Sequence, residues 1–522
     1  MECKIRQVKS VGVILSGQYS DFEITQQYGL IPPSFLPVSG QRLYVSQVAY
    51  LRKFCSQIFL TVPENYELTS SDKMTLAVMK VTLIPSSPDI SINDALLEVL
   101  DTIQSESNSI AVLYGDTLIN EEIPINCVTI FEKPETYSWG RNKGISDYER
   151  YLNLSVEMMM AGFFYLSDAK LLKSAIHDSN GDILDALDCY TNYQPLQYQR
   201  VHTWNDFGHL GTLQQSQLFF SESRFFNLVK ISELGVSKQS TDVDKLLAEI
   251  VWYENLPVQF RKYVPNLVAI SDNAYTTEYI PSPTLHDLLI FGNLSLSQWI
   301  RLFDRLCAFF SEAKQCFEPP NQIVLEDLLR IKTQVRCELF LSSKPKLKDF
   351  DNLQLVDIFS KTNIDSLLSK INLTDTRSLG VIHGDMCATN IFWDGMSDTL
   401  KTIDPRGDTS GISKGIYGDI RYDVAKLYQS FVLGYDFVLA GLEREANVQE
   451  KSKSVSYLRH SSIDFDEIFQ SKIFAPLGIS QTEIAAIATL LMLGLMPLHA
   501  DRIDRQNEFV HIILKMLKEL KI

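Results

Sequence analysis

Short apolar runs bounded by glycine, proline or aspartate punctuate the first 220 or so residues: VGVILSG (Val11 to Gly17), IFLTVP, IAVLYGD (Ile110 to Asp116), VTIFEKP (Val128 to Pro134) and MMMAGFFYLS. Between them lie stretches with helical spacing, such as QRLYVSQVAYLRKFCSQ. Apolar runs of about four to eight residues separated by helix-length segments predict a mostly parallel sheet covered by helices. The expectation is an α/β domain over residues 1–220, and sheets of this kind bind ligands beyond the carboxyl ends of their strands.

The pattern changes from about Phe219. FFNLVKISELGVSKQS predicts two strands joined by a short turn, DVDKLLAEIVWYENL a helix, and NLVAISDNAYTTEYI two further strands. After Pro281 and Pro283 the chain turns predominantly helical to Ile522, broken near SLGVIHGD, NIFWD and TLKTIDPRG by short β-like pieces. A small β-rich lobe at about 221–280 and a larger helical lobe at about 281–522 form a bilobal, kinase-like α+β outline.

The longest apolar stretch, Ile484 to Leu498, falls short of the roughly 18 residues of a membrane span and predicts a buried helix. The N-terminus MECKIRQVKS lacks the apolar core of a signal peptide. The expectation is therefore a cytoplasmic protein without membrane insertion.

At 522 residues the chain is long enough for two to four domains. Lys plus Arg total 48 and Asp plus Glu total 64, a net charge of −16, which argues against nucleic acid as a partner. A hydrophobic fraction of 45% and a charged fraction of 21% carry no disorder signature. The 8 cysteines form no C-x-x-C pair and read as reduced structural thiols. Small molecules are the expected partners, and homo-oligomerisation stays open.

The chemistry is densest at His383-Gly384-Asp385-Met386-Cys387-Ala388-Thr389-Asn390, followed by Ile403-Asp404-Pro405-Arg406. Moving the γ-phosphoryl group of ATP to an alcohol needs a carboxylate that orients the hydroxyl and accepts its proton. It also needs an amide ligand for Mg²⁺ and a second carboxylate holding Mg²⁺ against the phosphates. Asp385, Asn390 and Asp404 supply these in order and at the spacing of a kinase catalytic loop. Lys238 on a predicted strand and Glu249 on the following helix are candidates for the pair that positions the α- and β-phosphates of ATP. No G-x-G-x-x-G precedes Lys238, only Gly235, so backbone groups near Ser223 to Asn227 are the expected phosphate cover.

HGDMCATNIFWD with TIDPRG resembles the aminoglycoside phosphotransferase and choline kinase superfamily. The resemblance implies that Asp385 is the catalytic base, that Asn390 and Asp404 bind Mg²⁺, and that Asp423, in YGDIRYDVA, braces the catalytic loop. The acceptor is left open: Trp252, Tyr275, Trp299, Trp393, Tyr417 and Tyr422 could line a cage for a cationic amine or pack the core.

Earlier in the chain, ILSG (Ile14 to Gly17), FLPVSGQRL (Phe35 to Leu43), LYGD (Leu113 to Asp116), EKP (Glu132 to Pro134), AGFF (Ala161 to Phe164) and WNDFG (Trp204 to Gly208) form an ordered series. It resembles the nucleoside-diphosphate-sugar pyrophosphorylases, implying a Rossmann-like, GT-A-like nucleotidyltransferase domain. By that resemblance the loop at Gly17 cradles the phosphates of CTP or another NTP, and Asp116 and Asp206 hold Mg²⁺. The loop SGQYSDFE departs from the family by lacking its arginine and carrying two acids, and the lysine before L-x-P-V is absent. Either nucleotidyl transfer is lost here and a binding or scaffolding role is kept, or a rearranged set of cations including Lys133 serves, with Arg42 a partial replacement.

The two halves together resemble bifunctional capsule and surface-polysaccharide biosynthesis proteins. The expectation is an ATP- and Mg²⁺-dependent phosphotransferase acting on a small alcohol or sugar, with an N-terminal nucleotidyltransferase-like domain of degenerate motif. The alternatives are a fully bifunctional enzyme and a non-catalytic nucleotide-binding assembly protein.

Overall fold

The computed structural model describes residues 10–103, 109–133, 143–179, 181–222, 229–232, 235–240, 242–271, 273–316, 325–407, 415–442 and 463–522. The chain divides into two compact units, Met1–Ser223 and Arg224–Ile522.

The first unit is built on a seven-stranded sheet in the order Gln197–Arg200, Cys127–Glu132, Met158–Leu166, Ser109–Tyr114, Ser10–Leu15, Gln57–Pro63, Val81–Ser86. The inner strands are largely apolar because both faces are covered, and Val11, Val13, Ile110, Val112 and Phe164 are all buried in one cluster. Four of the six pairings are parallel. Met158–Leu166 instead runs antiparallel to both its neighbours. A doubly buried strand advertises its burial in sequence but not its direction, so the mixed sheet was not readable there. Helices begin on side-chain caps at Thr69, Ser91, Asp168 and Asp182, whose oxygens accept the first free backbone N–H groups. A small antiparallel pair, Thr117–Ile119 with Trp204–Asp206, adjoins the end of Ser109–Tyr114.

The second unit opens with a four-stranded antiparallel sheet in the order Val229–Ser232, Gly235–Gln239, Ala274–Thr277, Leu267–Ser271. The helix Val243–Glu254 lies between its second and third strands in sequence. Gly235 has φ +129°, and a Cβ there would sit 2.1 Å from the Thr277 carbonyl oxygen, so only glycine fits this turn. A helical body follows, led by Leu296–Gln315, Leu325–Ser342, Ile420–Phe431, Gln481–Leu493 and Ile503–Glu519. Two short antiparallel pairs interrupt it: Leu379–Val381 with Tyr417–Asp419, and Ile391–Asp394 with Thr399–Thr402.

The apolar stretch from Ile484 belongs to a helix whose residues Ile484 to Leu490 are all buried. Among the described residues no single helix is long and apolar enough to cross a membrane. Trp252, Tyr275, Trp299, Trp393 and Tyr422 are core residues, each no more than 5% exposed, so they do not form an open aromatic cage. Every described cysteine is a free thiol.

Candidate active sites

In the second unit the chain leaves the strand Leu379–Val381 and enters residues 382–390, a segment with little regular hydrogen bonding of its own. It is held from outside. The indole Nε1 of Trp252 donates to the Ile382 carbonyl at 2.8 Å. The buried carboxylate of Asp423, in the first turn of Ile420–Phe431, accepts the backbone N–H groups of His383 and Gly384 at 2.7 and 2.8 Å. The His383 imidazole is buried, which drives its pKa down to about 4. It is therefore neutral, and its Nδ1 accepts the Asp385 N–H at 3.3 Å.

Asp385 emerges from this frame with a largely buried carboxylate. Arg406 Nη2 lies 2.6 Å from one oxygen and Lys426 Nζ 3.2 Å from the other. Burial acts to raise the carboxyl pKa, but the charges of Lys426 and Arg406 outweigh it and hold the group well below the usual carboxylate range. Asp385 is thus ionised at any physiological pH.

Asn390 donates its Nδ2 to the Asp385 carbonyl at 3.0 Å, which fixes the amide so that its oxygen, met by the Thr389 hydroxyl at 3.5 Å, is the atom that could ligate a cation. The Ile403 N–H donates to the Asn390 carbonyl at 3.0 Å and brings the following residue, Asp404, alongside. Asp404 sits at φ +59°, a left-handed conformation that aspartate tolerates better than most side chains. Lys238 Nζ lies 3.1 Å from Asp404 Oδ1 and 2.7 Å from Glu249 Oε2. Burial lowers the lysine pKa, but the two carboxylates more than compensate and the net shift is upward. The Tyr275 hydroxyl donates to the same Glu249 oxygen at 3.0 Å and fixes its rotamer.

The site so assembled has two halves. Lys238, Glu249 and Asp404 form a charged chain at the small sheet, and Asp385 stands beside Asn390 on the helical side. A carboxylate and an amide oxygen form the sparse, hard donor set that suits Mg²⁺ completed by phosphate and water. Among the described residues no three His, Cys, Asp or Glu side chains gather into a closed metal cage. The residues from Ser223 to Asn227 expected to cover the phosphates lie essentially outside the described residues.

In the first unit, Asp116 and Asp206 meet. The Phe207 N–H donates to the Asp116 carbonyl at 2.8 Å, and Gln47 Nε2 ties the turn beneath by donating to the carbonyls of Tyr114, Gly115 and Thr117. A Cβ on Gly208 would lie 2.6 Å from Asp116 Oδ2 and 3.2 Å from Asp206 Oδ1, so glycine keeps open the space that both carboxylates face. Burial first, and then the Asp206 charge, push the Asp116 carboxyl up to about 6. Burial raises Asp206 as well, against hydrogen bonds from Thr212 and the Gly208 N–H. Two repelling acids around a gap fit a divalent cation.

Both expected replacement cations are paired with other groups of the unit. Arg42 is buried, its guanidinium bound to both oxygens of Asp72 at 3.1 Å and to the Phe35 carbonyl at 2.7 Å. It therefore does not replace the missing phosphate-binding arginine; it is a structural ion pair. Lys133 Nζ lies 3.3 Å from Glu157 Oε2. Gly17 packs tightly, since a Cβ there would approach that of Ser86 to 2.9 Å. One acid of SGQYSDFE serves the local fold: Asp21 caps the helix Phe22–Tyr28 by accepting the Glu23 N–H at 2.6 Å. Gln18 is tied to the Ile90 carbonyl at 2.8 Å.

Lys426 and Gln47 were not singled out from the sequence, and Tyr275 was singled out only as a cage or core aromatic, not as the donor to Glu249. Lys426 had a readable signal: it follows Asp423 by three positions on a helix, and that spacing places both on the face turned to the catalytic loop. Tyr275 and Gln47 act through tertiary contacts with no local signature.

No protein-family model matches the chain, and no curated protein matches it. Among solved structures, the inositol-1-phosphate CTP transferase from T. maritima is 12% identical over 41% of this chain and 98% of its own, with a TM-score of 0.31. A CTP:phosphocholine cytidylyltransferase from Streptococcus pneumoniae is 11% identical over 41% of this chain and 99% of its own, TM-score 0.30. An aminoglycoside-3'-phosphotransferase of type VIII is 16% identical over 50% of this chain and 84% of its own, TM-score 0.32.

Proposed function

We propose that the second unit transfers the γ-phosphoryl group of ATP to a hydroxyl of a small polar metabolite, in the synthesis of a capsule or other surface glycan precursor. The observation that supports this most directly is the convergence of Lys238, Glu249 and Asp404 at one edge and Asn390 and Asp385 at the other. In this reading Lys238, oriented by Glu249, contacts the donor phosphates. Asn390 and Asp404 hold Mg²⁺, which neutralises phosphate charge when bound. Asp385 accepts a hydrogen bond from the acceptor hydroxyl and aims its oxygen at the phosphorus. Because Arg406 and Lys426 make Asp385 a weak base, it takes the proton late, as suits a loose transition state with little early charge on the nucleophile.

The first unit binds a nucleotide or a sugar phosphate at Asp116 and Asp206 in the same reading. The pairing of these two acids around Gly208 favours a second activity, nucleotidyl transfer from CTP or another NTP to the phosphorylated product. Two consecutive steps on one chain raise the effective concentration of the shared intermediate.

The test is Mg²⁺-dependent ADP release by the full chain with a broad panel of sugars, polyols, amino alcohols and hydroxy acids. Mass spectrometry then identifies the phosphorylated product. Asp385→Asn is expected to abolish turnover; unchanged turnover in that variant would overturn the phosphotransferase reading. Pyrophosphate release lost in Asp116→Ala would establish the second activity.

A further inference from the structure

The helical side of the candidate kinase site carries far more positive than negative charge. Besides Arg406 and Lys426, the helix Leu325–Ser342 contributes Lys332 and Arg336. These two lie one turn apart and so share a face. Lys332 is half-buried. Burial and the nearby charges of Arg336, Lys426 and Arg406 lower its pKa to about 8, with Asp385 the anion that acts against them. Among the described residues Lys332 makes no hydrogen bond or ion pair. Arg336 is likewise half-buried, repelled by Arg406, and spends one N–H on the Gly494 carbonyl at 3.1 Å. The neighbouring acid Asp436 is already engaged by His286 at 2.7 Å. Four cations therefore face two acids, Asp385 and the buried Asp423, and Asp423 already accepts the His383 and Gly384 N–H groups.

Holding a lysine near three like charges opposes folding, and Asp385 offsets it only in part. Such an arrangement is stable in use when an anion arrives from outside. Donor phosphates already have Lys238 and the Mg²⁺ ligands on the small-sheet side. Arg406 and Lys426, by contrast, flank the carboxylate that faces the acceptor hydroxyl. On the phosphotransferase reading above, we propose that the acceptor is itself an anion, a hydroxyl compound bearing a carboxylate or a phosphate that Lys332 and Arg336 bind with help from Arg406 and Lys426. In the reaction the bond from the γ-phosphorus to the β,γ-bridging oxygen breaks and the acceptor oxygen bonds to that phosphorus. The hydroxyl proton passes to Asp385 and ADP leaves. An acceptor that already bears a phosphate or carboxylate implies that the preceding reaction supplies a sugar phosphate, polyol phosphate or hydroxy acid rather than a free amine.

The experiment compares matched acceptors with Mg²⁺ and ATP: glycerol, glycerol 3-phosphate and glycerate; glucose, glucose 6-phosphate and gluconate; with choline and ethanolamine as the cationic arm. Turnover is expected with phosphate- or carboxylate-bearing members, and the two anionic arms tell which group is read. Lys332→Gln is expected to raise KM for the anionic acceptor roughly 10- to 100-fold, the loss of one charge-assisted hydrogen bond, with KM for ATP unchanged and recovery in Lys332→Arg. Turnover confined to neutral or cationic acceptors, or a rise in KM for ATP instead, would overturn the anionic acceptor while leaving the phosphotransferase standing. If no acceptor is turned over, the phosphotransferase reading falls and calorimetric titration of inorganic phosphate decides the anion site. With Mg²⁺ and a non-hydrolysable ATP analogue present, saturable binding weakened at least tenfold by Lys332→Gln supports it; equal binding in wild type and variant, or none in either, overturns it.

Discussion

Lys238 bridges two carboxylates, 2.7 Å from Glu249 and 3.1 Å from Asp404, and so couples the small sheet of the second unit to its candidate metal ligand. Glu249 is buried and also takes the Tyr275 hydroxyl, which makes it the fixed end of the chain. Asp404 is the exposed end. Removing the negative charge of Glu249 leaves Lys238 to Asp404 alone, where it competes with Mg²⁺. Glu249→Gln is expected to raise KM for ATP by about tenfold, the scale of one charged hydrogen bond, with a smaller change in kcat. Steady-state kinetics at saturating acceptor would show it, and an unchanged KM for ATP would remove Lys238 from the donor site.

Asp423 presents the same logic in a purely structural part. Its two oxygens satisfy the His383 and Gly384 N–H groups, and an asparagine has only one oxygen to offer. Asp423→Asn is expected to destabilise the second unit by about 1–3 kcal/mol, the cost of one buried donor left unpaired. Amide hydrogen exchange at His383 and Gly384 should speed up with it. Protection unchanged at both amides would mean that the loop does not depend on this brace.

The parts of this site that share one stretch of chain were legible in sequence. Asp385, Asn390 and Asp404 are held by a loop and hairpin whose spacing is itself the motif, and Gly235 marked the turn that only glycine fits. Partners joined by tertiary packing were not: Lys426 reaches Asp385, and Asp72 claims Arg42, from distant segments. The acids of SGQYSDFE look hostile to phosphate in a linear reading. One of them, Asp21 immediately before the helical FEITQQY, carried a capping signal that spoke for local structure instead.

Buried neutral His383 gives the second unit a defined acid sensitivity. Its folded pKa of about 4 lies below the roughly 6.5 of an unfolded histidine. Below about pH 6.5 the unfolded chain takes up a proton that the folded chain refuses, so stability falls as pH drops towards 4 and this contribution levels off beyond it. The full effect is at most about 3 kcal/mol. His383→Asn keeps an acceptor for the Asp385 N–H and does not titrate, so its denaturation midpoint should depend less on pH between 7 and 4.5 than that of the wild type. Parallel curves for the two proteins would contradict the assigned protonation.

The Asp116–Asp206 pair titrates in the opposite sense. Burial and the neighbouring charge raise Asp116 to about 6, above the roughly 3.9 of an unfolded aspartate. The protonated form is therefore favoured by folding: its stabilisation is complete below about pH 4 and is lost as pH rises through 6. In metal-free protein at pH 7.5, Asp116→Asn is expected to stabilise the first unit by about 1–3 kcal/mol, and the gain should vanish near pH 4. Millimolar Mg²⁺ or Mn²⁺ at pH 7.5 should close the gap by stabilising the wild type alone, because only the paired carboxylates gain from a bound cation. A gap that ignores the metal would leave the pair as a strained buried contact and remove the metal-ion basis for nucleotidyl transfer in this unit.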